Sequence, residues 1–107
     1  MRVLLDNCIP RKFARHIAGH AVTSVVRLGW DTLKDGVLLD TAAGRFDAVV
    51  IVDKNIRFQN WMDHRSFALV VLRQAKSNWM THLLPRVPAL LAALGDVKPG
   101  DVREIGG

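Results

Sequence analysis

Ala48-Val49-Val50-Ile51-Val52-Asp53 is five apolar residues in a row, four of them β-branched, closed by a carboxylate. A segment with no polar alternation reads as a strand buried on both faces, the mark of a parallel sheet. Working outward, Val3-Leu4-Leu5-Asp6 has the same form, and Phe67 to Leu72 is a third such run. The segments between them have other periods. Pro10 suits the first turn of a helix whose apolar face is Phe13, Ala14, Ile17 and Ala18, with Gly19 as its stop. His20 to Val26 is rich in β-branched residues and reads as a short strand, followed by loop at Leu28-Gly29-Trp30. Asp35 can cap a helix running to about Ala43, with Leu38, Leu39 and Ala42 inward and Gly44 as stop.

Phe46 to Asp53 is then a strand, and a short helix is expected around Ile56 to Trp61. Asn78 can cap a helix starting near Trp79, with a stripe of Met80, Leu83, Leu84, Val87, Leu90, Leu91 and Leu94 that Pro85 and Pro88 interrupt. Gly95 ends it, Pro99-Gly100 is a turn, and Asp101 to Ile105 fits an edge strand. Strands and helices alternate throughout. The expectation is one α/β domain over residues 1–107, with a mostly parallel sheet of four or five strands and helices on both sides. Val3, Leu5, Val50, Val52, Leu69, Val71, Leu84 and Leu91 are the expected core.

The chain has 107 residues, half of them hydrophobic, and a mean hydropathy of +0.14. That excludes an intrinsically disordered composition. No apolar run approaches the ~18 residues of a membrane span. The start, Met1-Arg2-Val3-Leu4-Leu5-Asp6, turns acidic too soon for a secretory signal. A single Cys8 leaves no internal disulfide, and the cytoplasm is the expected location. Fifteen Lys and Arg, ten of them Arg, face ten Asp and Glu, for a net charge of +5 and a pI near 10.2. This balance favours nucleic acid or an acidic partner, and Arg suits bidentate phosphate contacts.

Asp6 and Asp53 stand where apolar strands stop, and Asp35 opens the helix between them. In open α/β sheets the ligand crevice lies outside the carboxyl ends of the strands. Carboxylates that converge there repel unless a cation holds them. A hard cation such as Mg²⁺ takes one or two carboxylates together with phosphate oxygens. Each aspartate alone has a structural explanation as a strand end or helix cap, Asp35 most completely. Asn7 follows Asp6, Lys54 and Asn55 follow Asp53, and Arg73 follows the third apolar run, so all four are candidates for phosphate recognition. Asp31, Asp40, Asp47, Asp63, Asp96 and Asp101 read as solvated. The four histidines lack zinc spacing, and Trp30, Trp61 and Trp79 read as packing anchors rather than base-stacking platforms.

Leu4-Leu5-Asp6-Asn7-Cys8-Ile9-Pro10 resembles the opening of the small PIN-like domains related to the Mut7-C and VapC-type toxin families. Lys34-Asp35-Gly36-Val37-Leu38-Leu39 and Val50-Ile51-Val52-Asp53-Lys54-Asn55 resemble their second and third blocks. Leu84-Pro85 through Leu94-Gly95 and Lys98-Pro99-Gly100 are similar as well. The resemblance implies a three-layer α/β/α sandwich and a Mg²⁺- or Mn²⁺-dependent endoribonuclease, the toxin of a toxin–antitoxin pair. By position, it makes Asp6, Asp35 and Asp53 the metal-binding and catalytic residues, RNA the substrate and a small antitoxin protein the partner, with homo-oligomers left open. The chain departs from the family at Asn7 and Val37, where relatives often carry Glu, and near Arg73, Ser77 and Asn78, where many carry a fourth acid. Those departures keep a second reading open, a non-catalytic PIN-like module that binds RNA or a protein. A receiver-like phosphoacceptor ranks third, because such domains carry two adjacent acids after the first strand and a Lys after the fifth.

Overall fold

In the computed structural model, residues 1–6, 9, 11–17, 19–33, 35–53, 65–73 and 84–105 are described, with Arg11, Asp35, Gly36, Val52, Asp53 and Arg73 described through the backbone alone. Five strands form one sheet: β1 (Arg2–Leu5), β2 (Ala21–Ser24), β3 (Ala48–Asp53), β4 (Ala68–Arg73) and β5 (Val102–Ile105). Their order is β2-β1-β3-β4-β5, and every pairing is parallel. The α/β class and the five parallel strands agree with the expectation. The predicted helix at 56–61 and the start of the predicted helix at 79–83 lie outside the described residues.

Alternation along the strands divides the core in two. Val3, Leu5, Ala48, Val50, Val70 and Leu72 face one side, where they join Phe13 and Ile17 together with Leu90, Ala93 and Leu94. Leu4, Val49, Ile51, Leu69 and Val71 face the other, where they join Leu38, Leu39 and Ala42. Both faces are therefore apolar, which is why the three central strands are unbroken hydrophobic runs. Of the expected core, Val3, Leu5, Val50, Leu69 and Val71 are buried, whereas Leu84 and Leu91 are half-buried.

The first helical segment differs in kind from the expected α-helix: Arg11–His16 is a 3-10 helix. Its six residues at ~2.0 Å each cover about 12 Å, close to the length of a four-residue strand. β2 is shorter than expected because Ser24 ends it. Its Oγ accepts the Arg27 N–H at 3.2 Å, while its carbonyl accepts the Leu28 N–H at 3.4 Å.

Helix α1 (Asp35–Ala42) follows, with Asp35 as its first helical residue rather than the cap before it. It stops at Gly44, whose φ of +80° few other residues adopt. The two prolines act as expected. Leu84–Arg86 is a 3-10 turn, and α2 (Val87–Leu94) carries Pro88 in its first turn, where a missing N–H costs nothing. Gly95 closes α2 in the right-handed region at φ −78°, so it serves there without using its conformational freedom.

The steps from β2 to β3 and from β4 to β5 run the same way across the sheet, yet α1 and α2 pack on opposite faces. These two connections therefore have opposite hands. The step from β1 to β2 runs the other way with its 3-10 helix on the α2 face, so it shares the hand of the β2–β3 step. About 98% of parallel crossovers are right-handed, so one of the two hands present here is rare. The return to β5 puts α2 beside the 3-10 helix.

At the amino edge of the sheet, Asp47 is solvent-accessible, as expected, and it is also paired. Its Oδ2 accepts the Arg2 backbone N–H at 2.7 Å, and the Arg2 guanidinium reaches both carboxylate oxygens at 3.4 Å. The Arg2 backbone bond and then its side chain hold the carboxyl below its usual 3.8. A carboxyl depressed in the fold stabilises it above the unfolded pKa and loses that contribution as pH falls toward the folded value. The melting temperature is therefore expected to fall more steeply between about pH 5 and about pH 3 in the wild type than in Asp47→Asn. Parallel acid-limb melting curves check this, and identical slopes would refute it.

Candidate active site at the carboxyl edge

β1 steps to β2 on one side and β3 lies on its other side, so the direction of winding reverses between β1 and β3. Such a reversal opens a crevice at the carboxyl ends of the two strands. Asp6 follows the last residue of β1, and Asp53 is the last residue of β3. The half-buried Asp6 is tied to β3 through its own N–H, which donates to the Val50 carbonyl at 2.9 Å, and its carbonyl accepts the Ile9 N–H at 3.0 Å.

Register relates the two positions. Leu5 pairs with Val50, so position 6 is level with Ile51 and position 53 lies two residues farther along. Two residues at ~3.3 Å and one strand spacing of ~4.8 Å separate the two backbones by roughly 8 Å. The period of two sets position 6 in series with Leu4, position 53 in series with Val49 and Ile51, and position 73 in series with Leu69 and Val71. Those five apolar residues belong to the α1 side of the core. Asp53 and Arg73 are direct register partners at the ends of β3 and β4. α1 lies between β2 and β3 in the chain, and its first residue is Asp35.

The register thus brings the backbone positions of Asp6, Asp53 and Arg73 to the carboxyl edge of the sheet, whereas Asp35 stands at the start of α1, outside that register. Asn7, Lys54 and Asn55, together with Cys8, His64, His82, Trp61, Trp79 and Asp63, lie outside the described residues. Among the described side chains, which include Asp6 but neither Asp35 nor Asp53, no group of three His, Cys, Asp or Glu is arranged around a metal. Carboxylate oxygens are the donors a hard divalent cation takes, and the backbones of positions 6 and 53 are roughly 8 Å apart.

The remaining described acids have structural partners. Asp96 Oδ2 accepts a hydrogen bond from the Arg103 guanidinium at 2.8 Å, which lowers its pKa, and Asp40 pairs with Arg65. Asp101 Oδ2 accepts the Lys98 N–H at 2.9 Å and so closes the turn before β5. His16 lies against Phe13, with ring centroids 6.3 Å apart, and the His20 Nδ1 lies 3.4 Å from the amino terminus. Neither arrangement suggests zinc. Trp30 is half-buried, edge-on to Phe46 at 6.1 Å, with the Arg45 guanidinium 5.6 Å from its ring centroid. It is a packing anchor, as expected. Among the described residues no helix is long and apolar enough to cross a membrane.

No protein-family model, no curated protein and no solved structure matches the chain.

Proposed function

We propose that this chain is a PIN-like, metal-dependent endoribonuclease of the three-layer α/β/α type, acting as the toxin of a toxin–antitoxin pair. The observation that supports the reading is the backbone register that sets positions 6 and 53 at the carboxyl ends of neighbouring strands, where the winding of the sheet reverses. Asp6, Asp53 and Asp35 would hold one Mg²⁺ or Mn²⁺. The bound cation would supply Lewis acidity and charge neutralisation at the scissile phosphodiester. Lys54 and Arg73 would steady the phosphate charge, and Asn7 and Asn55 would donate hydrogen bonds to its oxygens. The net charge of +5 favours RNA over an acidic small molecule, and also suits an acidic antitoxin segment.

Purified protein incubated with a panel of RNAs tests the reading. Cleavage is expected with Mn²⁺ or Mg²⁺ and is expected to stop when EDTA is added. Metal-independent cleavage, or none across the panel, would overturn it. Binding without cleavage, in the presence of metal, would favour the non-catalytic module, the reading to which the missing fourth acid points.

A further inference from the structure

The described arginines elsewhere have partners: Arg2 with Asp47, Arg65 with Asp40, Arg103 with Asp96, and Arg45 over Trp30. Lys12, Arg15 and Arg27 are different. All three are exposed, and they line one open cavity of about 480 Å³ together with Val22, Thr23 and Ser24. No acid stands among the described residues of that lining. We propose that this cleft binds the phosphate backbone of an RNA strand.

The local structure builds it. Lys12 and Arg15 are three residues apart on a 3-10 helix, which has three residues per turn, so they stack along one side. Arg27 is fixed from the other side by the turn that Ser24 caps, and Val25 N–H anchors that turn to the Leu5 carbonyl at 2.9 Å. β2 is an edge strand, so the cleft lies on the open flank of the sheet. Its Arg27 end follows the carboxyl end of β2, one strand from Asp6. Three cations on one cleft, with no acid among its described lining residues, raise the local potential and attract an anion. Their spread over two elements suits successive phosphates of a strand better than a single phosphate. Thr23 and Ser24 add hydroxyls of the kind that commonly contact phosphate and sugar oxygens.

The choice of RNA rests on the ribonuclease reading; the anion site itself does not. The test is therefore made without cleavage. Full-length protein in EDTA is titrated with a fluorescent single-stranded RNA from about 50 to about 200 mM salt. The triple variant Lys12→Ala/Arg15→Ala/Arg27→Ala is compared with the charge-matched Arg45→Ala/Arg65→Ala/Lys98→Ala, with melting curves confirming that both fold. At ~0.7 per phosphate contact, the log–log salt slope of the first variant is expected to be about 2 shallower than wild type, with at least a tenfold loss of affinity at the lowest salt. The control is expected to stay within about twofold. Single variants, should the triple fail to fold, are each expected to lose about 0.7 of slope. Equal slopes in wild type and variant, or an equal loss in the control, would overturn the proposal. So would saturable binding of inorganic phosphate alone without RNA affinity. The two readings fail separately. RNA bound through the cleft but never cut with metal sinks the nuclease, and metal-dependent cutting undiminished in the triple variant with unchanged binding sinks the cleft.

Discussion

Asp53→Ala and Asp6→Ala are expected to lose RNA cleavage by at least about a hundredfold, the scale of removing one preorganised electrostatic group from a transition state. Fold should be retained, because each residue ends a strand whose pairing is made by backbone groups and whose packing is made by the residues before it. Metal-free stability gives a second readout. Clustered carboxylates without a cation repel, so removing one should leave the melting temperature in EDTA unchanged or raise it. The same substitution should abolish the stabilisation that Mn²⁺ gives the wild type, since an ion that binds only the folded state stabilises by mass action. Melting curves with and without Mn²⁺ therefore separate a ligand from a bystander. A variant that cuts RNA at the wild-type rate and is stabilised equally by Mn²⁺ would remove that aspartate from the site.

The largest effect on stability is expected at Phe13. It is fully buried, and it is the main apolar side chain that the short 3-10 helix contributes beneath the sheet. Phe13→Ala should cost about 3–5 kcal/mol through lost transfer energy and the cavity left behind. Against a total of roughly 5–15 kcal/mol for a domain, that brings the chain close to unfolding at physiological temperature. Val37, half-exposed on α1, supplies the contrast, and Val37→Ala should change stability by less than about 0.5 kcal/mol. Urea melts of the two variants against wild type decide it; equal midpoints would show that the 3-10 helix is a passive cover.

The three central strands were legible because an apolar run bounded by Asp or Arg has few other readings. The 3-10 helix was not, because Phe13 and Ile17 stand four apart and imitate an α-helical face. Leu84 and Leu91 were over-read as core because a 3.6-residue stripe continues around α2 beyond the face it buries, which is Leu90, Ala93 and Leu94. At the site, the ends of two runs announced Asp6 and Asp53, but their register could not be read, since it depends on how Leu5 meets Val50. The pairing of Asp47 could not be read for a related reason: its partner Arg2 lies 45 positions away. Lys12, Arg15 and Arg27 come from two elements that only the sheet order brings together, so no local motif could have signalled the cleft.

The placement of α2 beside the 3-10 helix has a consequence for how the chain finds its structure. Phe13 and Ile17 share one cluster with Leu90 and Leu94, residues more than seventy positions later. Strand β1 cannot gain its inner neighbour until Val50 is available. Loop closure over such separations must precede any reward from packing, and topologies of this kind fold slowly for their size. During synthesis, the inner edge of β1 therefore waits for the middle of the chain, and the cluster that Phe13 and Ile17 begin is completed only when Leu90 and Leu94 arrive. Refolding is expected to be slower than in a helical domain of equal length, and the waiting edge of β1 is where chaperones, or misassembly, would act first.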